Sequence, residues 1–135
     1  MSLNFEEVNI LGQILNDTFG QSSTGADRYK KDALGASVAV KPSLSGSTLS
    51  IMAIAIKNLG SHGQQHSEIA KCENELDQYI DKFVGNLRKE FKKQSGRALK
   101  CKQIKNSENT DIEIINHYAA TRASYVRRRV SYELA

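Results

Sequence analysis

Residues 67–93 read SEIAKCENELDQYIDKFVGNLRKEFKK, and this stretch decides the fold of the chain. Its apolar residues recur at intervals of three, four or seven, the spacing that lines one face of an α-helix. They are Ile69, Leu76, Ile80, Phe83, Leu87 and Phe91. Ser67 is predicted to cap the helix, and Gly96 to end it by adopting a left-handed conformation. An amphipathic helix of this length predicts a sheet beneath its apolar face.

The composition is that of one globular domain. The chain has 135 residues, of which 39% are hydrophobic and 25% charged, enough to bury an ordinary core. No apolar run approaches the roughly eighteen residues of a membrane span, so no membrane partner is expected. The N-terminus lacks a signal-peptide pattern, and Cys72 and Cys101 are expected to stay reduced. These features predict an intracellular setting, in the cytoplasm or in an assembled particle.

A second amphipathic helix is predicted within residues 1–20. Asn4 and Glu7 have the spacing of a capping box, in which each side chain accepts a bond from the backbone amide of the other residue. An apolar stripe follows at helical intervals and consists of Phe5, Val8, Leu11, Leu15 and Phe19. Residues 21–35 show no periodicity and are predicted to form a flexible loop. Such a loop would let this N-terminal arm dock on a neighbouring copy.

Residues 36–135 are predicted to form a single α+β domain. A strand from Ala36 to Lys41, stopped by Pro42, leads through a turn into a strand from Thr48 to Lys57. Both faces of this second strand are apolar, which is typical of a central strand or of an oligomer interface, with Ile54 and Ile56 near the contact.

Three further strands are predicted after the long helix, as an antiparallel meander. The first spans about Leu99 to Lys105, the second includes Ile112 and Ile114, and the last runs from about Tyr125 to Leu134. The even positions of the last strand are apolar except Arg128, which would need a buried carboxylate partner or a subunit boundary. The expected architecture is therefore a two-layer α+β sandwich of helix over sheet.

The sequence contains no recognisable catalytic motif. No nucleophile elbow, P-loop or dinucleotide fingerprint is present, so an enzyme is not expected, and neither is a cofactor. His62 and His66 lie four residues apart, and His117 lies far along the chain. Because a zinc site needs further convergent ligands, no metal is expected at these histidines.

Residues 88–105 carry eight lysines and arginines against the single acid Glu90. Cations spaced along a surface can neutralise phosphates, and Tyr125 could offer a stacking plane beside Arg127. The candidate polyanion-binding residues are Arg88, Lys89, Lys92, Lys93, Arg97, Lys100, Lys102 and Arg127. The simpler alternative is a solvated basic face, partly paired with Glu73, Asp77 or Glu113.

The pattern as a whole favours a protein that acts by association. The amphipathic arm, the doubly apolar strand and the alternating charge blocks predict a non-enzymatic subunit that self-associates into a ring, tube or virion-type component. Its partners would be copies of itself and other subunits of the assembly. The predicted interface consists of Phe5, Val8, Leu11, Leu15, Phe19, Ile54 and Ile56. The alternative is a nucleic-acid-binding module that uses the basic residues.

Overall fold

The computed structural model describes residues 3–19, 29–31, 37–58, 65–114 and 123–135. They form two helices and a six-stranded sheet, which confirms the predicted α+β class. The elements follow the order α1 (Phe5–Phe19), β1 (Tyr29–Lys31), β2 (Ser37–Ser45), β3 (Thr48–Asn58), α2 (Gln65–Ser95), β4 (Cys101–Gln103), β5 (Asn109–Ile114) and β6 (Ala123–Leu134). Within these ranges, neither helix is both long and apolar enough to cross a membrane.

Helix α2 has the predicted apolar face. All residues of the stripe are buried except Ile69, which is half-buried, and Cys72 joins them in the core. The helix begins at Gln65, so Ser67 lies in its first turn and is not the predicted cap. Its end is as predicted: Gly96 has a φ of +81°, and its N–H donates to the carbonyl of Lys92 at 2.9 Å. Glycine reaches this conformation without a Cβ clash, so the helix ends there.

Strands β2 and β3 form the predicted hairpin, but β2 is longer than expected. It runs to Ser45 and includes Pro42, which pairs with Ile51. The expectation that Pro42 stops the strand is therefore wrong. Strand β1 pairs only with Ser37–Ala39, so within the described residues β2 is an edge strand at Pro42. At an edge, the missing N–H of proline leaves no ladder bond unmade.

Strand β3 lies inside the sheet, between β2 and β6, as its apolar composition predicts. Its alternate residues from Leu49 to Ala55 are buried in the core that α2 covers. We call this side of the sheet the core face, and the side that bears Lys41, Met52 and Arg127 the outer face. The even positions of β6 lie on the core face: Val126, Val130, Tyr132 and Leu134 are all buried.

The last three strands differ from a simple meander in one respect. β4 and β5 do not pair with each other in the described register; both pair antiparallel with β6, end to end along the same side. Residues 104–108 lie between them, opposite only Val130 and Ser131 of β6. The Ser107 hydroxyl bridges this bulge, because it accepts the N–H of Ser131 at 3.1 Å and donates to the Ser131 carbonyl at 3.2 Å.

The bulge exchanges the faces of the edge strand. Before it, Cys101 and Gln103 pair with core-face residues of β6, and after it Thr110 and Ile112 do so. The core-facing residues are therefore odd-numbered in β4 and even-numbered in β5. Because side chains alternate along a strand, an odd number of extra residues reverses the alternation. Thr110 is thereby placed under α2, and Asp111 on the outer face.

Helix α1 packs against α2 and β2. The predicted capping box is present: Glu7 N–H donates to Asn4 Oδ1 at 2.8 Å, and Asn4 N–H donates to Glu7 Oε1 at 3.1 Å. Leu11 and Ile14 of this helix are buried in the same core as α2, together with Leu3. The arm therefore contributes to the core of its own chain.

Candidate functional site

The predicted interface residues of α1 differ widely in exposure. Leu11 is buried in the core, Val8 and Leu15 are half-buried, and Phe5 is 83% exposed. The side chain of Phe19 lies outside the described residues. Among the described residues, Phe5 and Ile112 are the large apolar side chains that are exposed.

A depression of about 730 Å³ lies along α1, on the side of Val8 and Gly12. It is lined by Val8, Asn9, Gly12, Gln13, Asn16 and Leu44. The helix supplies every lining residue except Leu44, which belongs to β2. A Cβ added at Gly12 would meet no atom within 4 Å, so packing within the chain does not require glycine at this position. The lining offers both apolar surface and carboxamide groups, which can donate and accept hydrogen bonds.

The two isoleucines of β3 were predicted to lie near the same contact. Ile54 is on the outer face, but it is only 4% exposed and is therefore covered within its own chain. The side chain of Ile56 lies outside the described residues. The structure thus does not bring Ile54 to an exposed position beside α1.

Arg128 is held between the sheet and α2. It is the one arginine in the core-facing row of β6, and its side chain is 16% exposed. Its Nε donates to Asp77 Oδ1 at 2.9 Å and its Nη2 to Asp77 Oδ2 at 3.3 Å. Its Nη1 donates to Glu73 Oε2 at 3.1 Å and to Thr110 Oγ1 at 3.0 Å. The hydrogen bond with Asp77, followed by the nearby carboxylates, raises the pKa of the guanidinium despite its burial.

The sequence analysis required a carboxylate partner or a subunit boundary for Arg128, and the structure supplies the carboxylates. Glu73 and Asp77 lie one helical turn apart on the flank of α2, so both reach the same guanidinium. Thr110 also donates to Glu73, which closes the cluster. This arrangement stabilises the cation beneath α2 and engages its Nε, Nη1 and Nη2 with acceptors of the same chain.

On the outer face, Arg127 also has partners within the chain. Its Nη2 donates to Glu113 Oε2 at 2.6 Å and its Nη1 to Asp111 Oδ2 at 3.4 Å. Its guanidinium lies 5.2 Å from the centre of the Tyr125 ring. Tyr125, predicted to stack on a base, and Arg127, predicted to bind phosphate, therefore already contact each other.

The remaining candidate cations separate into two groups. Lys89, Lys92 and Lys93 are exposed on α2, whereas Lys100 and Lys102 are exposed on the outer face, because Cys101 between them faces the core. Within the described residues, no ion pair involves these five lysines. Arg88 donates to the Leu99 carbonyl at 3.1 Å.

Arg97 connects the two helices and is not a free cation. It bonds the Glu7 carboxylate of α1, and its guanidinium lies 5.3 Å from the Phe91 ring. The hydrogen bond from Arg97, followed by that from the Asn4 N–H, lowers the pKa of the Glu7 carboxyl. The spacing of charges in the sequence gave no signal for this pair, since the residues are 90 positions apart.

No metal centre is present in the part of the chain that the structure describes, where no three histidine, cysteine or acidic side chains converge. His62 and His117 lie outside that part, and so does the side chain of His66. Cys72 and Cys101 are thiols and do not form a disulfide with each other, and burial raises the pKa of the Cys101 thiol although nearby Arg88 opposes this. A raised pKa lowers the fraction of nucleophilic thiolate.

Comparison with known proteins adds no relative: no family model, curated protein or solved structure matches the chain.

Proposed function

We propose that this chain is a non-enzymatic structural or assembly subunit that self-associates through the exposed side of α1 into a larger complex, such as a ring, tube or virion-type component. The observation that carries the proposal is the 83% exposed Phe5 on the same helix as the depression at Gly12. Burying a phenylalanine side chain stabilises a contact by about 1.5–3 kcal/mol. A neighbouring copy that covers Phe5 would gain this energy.

Gly12 supports a contact at the depression. Glycine inside a helix costs about 1 kcal/mol relative to alanine, and no neighbouring atom in the chain would obstruct a Cβ at this position. The monomer therefore gains nothing from the glycine by packing. A second copy would gain from it, because the absent side chain lets another backbone approach α1 closely.

The test is size-exclusion chromatography with light scattering on nuclease-treated protein, at low and high salt. We expect the wild-type mass to be a multiple of 15.0 kDa that persists at high salt, since apolar contacts are not screened. Phe5→Ser should lower this mass with little loss of folding stability, because the side chain is exposed. Glu6→Ser, an exposed neighbour on the same helix, is the matched control. A wild type of single-chain mass at every concentration would refute self-association.

This substitution is a sharper probe than removal of the whole arm. Deleting residues 1–20 would also remove Leu3, Leu11 and Ile14 from the core, so a loss of assembly could simply reflect unfolding. Phe5→Ser distinguishes loss of assembly from unfolding, because it removes an exposed side chain and leaves the core intact.

The second candidate function is binding of nucleic acid, and the observation that favours it is the exposure of the lysines on α2. Lys89, Lys92 and Lys93 have no ion-pair partner among the described residues, so they are available to phosphates. Changing Lys92, Lys93 and Lys100 to Glu should abolish co-migration with a short nucleic acid at low salt and leave the assembly intact. Arg97 should be kept, because it bonds Glu7. Unchanged binding by this variant would exclude the basic surface as the site.

A further inference from the structure

Within the described ranges, the sheet has an edge at β5 that no second strand covers. Strand β5 pairs with β6 on one side, and no other described strand pairs with it. Asp111, Ile112 and Glu113 are exposed, and Ile112 is 36% exposed, the only large apolar side chain besides Phe5 to be so among the described residues. Exposed edge strands offer unpaired backbone groups to another strand, and soluble proteins usually protect them.

The opposite edge of the sheet begins at β1. Strand β1 pairs only with β2 among the described strands. From β1 through β2, β3 and β6 to β5, every neighbouring pair is antiparallel, and there are four such steps. An even number of reversals makes β1 and β5 run in the same direction. Two copies in the same orientation could therefore join β5 to β1 as a parallel pair.

The two edge strands carry opposite charges. The three residues of β1 include Lys30 and Lys31 and no acid, whereas β5 contains Asp111 and Glu113 and no base. Arg127 is shared by both acids, and Arg129 reaches Asp111 only at 3.9 Å. The carboxylate side chains remain 49% and 61% exposed. The acids can thus still attract a basic strand.

We propose that β5 of one copy pairs with β1 of the next, so that the sheets of successive copies join edge to edge. This inference rests on the proposed self-association and names a second contact for it. Because the two edges differ, the contact is head-to-tail, and its repetition gives a ring if the rotation closes or a filament if it does not. Pairing two β5 strands about a twofold axis would instead bring four carboxylates together, which opposes that arrangement.

The test is oxidative cross-linking between two single variants, Lys30→Cys and Ile112→Cys, with one of them isotopically labelled. The edge contact predicts, in the mixture, disulfide-linked dimers that join one labelled and one unlabelled chain. It predicts no cross-linked dimers through the introduced cysteine in either variant alone. The wild type, which retains Cys72 and Cys101, gives the background of cross-linking by native thiols. Dimers formed by Ile112→Cys alone would overturn the proposal in favour of the twofold arrangement.

A charge placed on the edge gives an independent measurement. Ile112→Lys should lower the assembly mass measured by light scattering, because a lysine there blocks strand addition. Gln103→Lys is the matched control, since Gln103 is exposed on β4 along the same side of β6. Thermal unfolding of both variants establishes that they are folded.

The failure of this edge contact can be told apart from the failure of self-association. A wild type that contains several copies, without cross-links between the two variants, would overturn the edge contact and leave assembly through α1 standing. A wild type of single-chain mass would overturn both.

Discussion

Arg128 donates from Nε to Asp77 Oδ1 at 2.9 Å, and this bond joins β6 to α2 across an otherwise apolar layer. Its neighbour Arg127 is on the other face of the sheet and binds Glu113 and Asp111. Two adjacent arginines therefore have separate sets of acids, because successive side chains of a strand point to opposite faces. Because of this alternation, both arginines form ion pairs within the chain, Arg127 on the outer face and Arg128 beneath α2.

Arg128→Ala should destabilise the fold more than the same change at Arg129. Loss of Arg128 leaves Asp77 and Glu73 without their cation, and hydrogen bonds to charged groups contribute about 1.5–3 kcal/mol each, so we expect a loss of about 2–3 kcal/mol in the free energy of unfolding. Arg129 is more exposed and its ion pair with Asp111 spans 3.9 Å, so Arg129→Ala should change stability by less than about 0.5 kcal/mol. Urea unfolding measures both. Equal losses would mean that the cluster under α2 does not stabilise the fold.

Gly85 lies inside α2 and Gly96 lies just after its end. Substitution by alanine should change the free energy of unfolding in opposite directions at these two positions. Gly85 is inside the helix, and an added Cβ meets nothing, so Gly85→Ala should stabilise the protein by about 0.5–1 kcal/mol. Gly96 has a φ of +81°, which strains any residue with a Cβ, so Gly96→Ala should cost about 1 kcal/mol. Thermal unfolding of the two variants checks the signs. Stabilisation at Gly96 would contradict the left-handed helix end.

Ser107→Ala should weaken the bulge between β4 and β5. The hydroxyl makes two bonds to the backbone of Ser131, and their loss should cost about 1 kcal/mol. Hydrogen exchange gives a specific readout, because the Ser131 N–H donates to Ser107 Oγ and should exchange faster in the variant. Ser50→Ala is the control, since it removes only a bond between the Ser50 and Ser131 hydroxyls. Unchanged exchange at Ser131 would show that the serine does not hold the bulge.

The attachment of α1 should weaken in acid. Arg97 and Asn4 lower the pKa of Glu7 below its ordinary value of 4.5, so the folded protein binds a proton at Glu7 less readily than the unfolded chain does. The contribution of Glu7 to stability is therefore complete above about pH 5 and is lost as the pH falls through the lowered pKa. Urea unfolding of the wild type and of Glu7→Gln should differ near neutral pH and converge once the pH lies below that lowered pKa. A difference that persists in acid would show that Glu7 does not act through its charge.

Local pattern in the sequence determined the helices, the central strand and the burial of β6. The periodicity of α2, the capping box at Asn4 and Glu7, and the end at Gly96 depend on residues within a few positions of one another, and short-range sterics and hydrogen bonding decide them. The polarity of Arg128 within an apolar row also showed that it needed a partner. Glu73 and Asp77 were among the acids expected to pair with basic residues.

Only the tertiary structure decided which distant residues meet. The bulge at 104–108 places Thr110 under α2 and Asp111 on the outer face, and a change of one residue in its length would exchange them. Arg97 meets Glu7 because α1 packs beside the end of α2. Pro42 is accommodated because, among the described strands, only β3 pairs with β2 at that position. These outcomes depend on pairing register and on contacts between residues far apart in the chain, so no local periodicity could encode them.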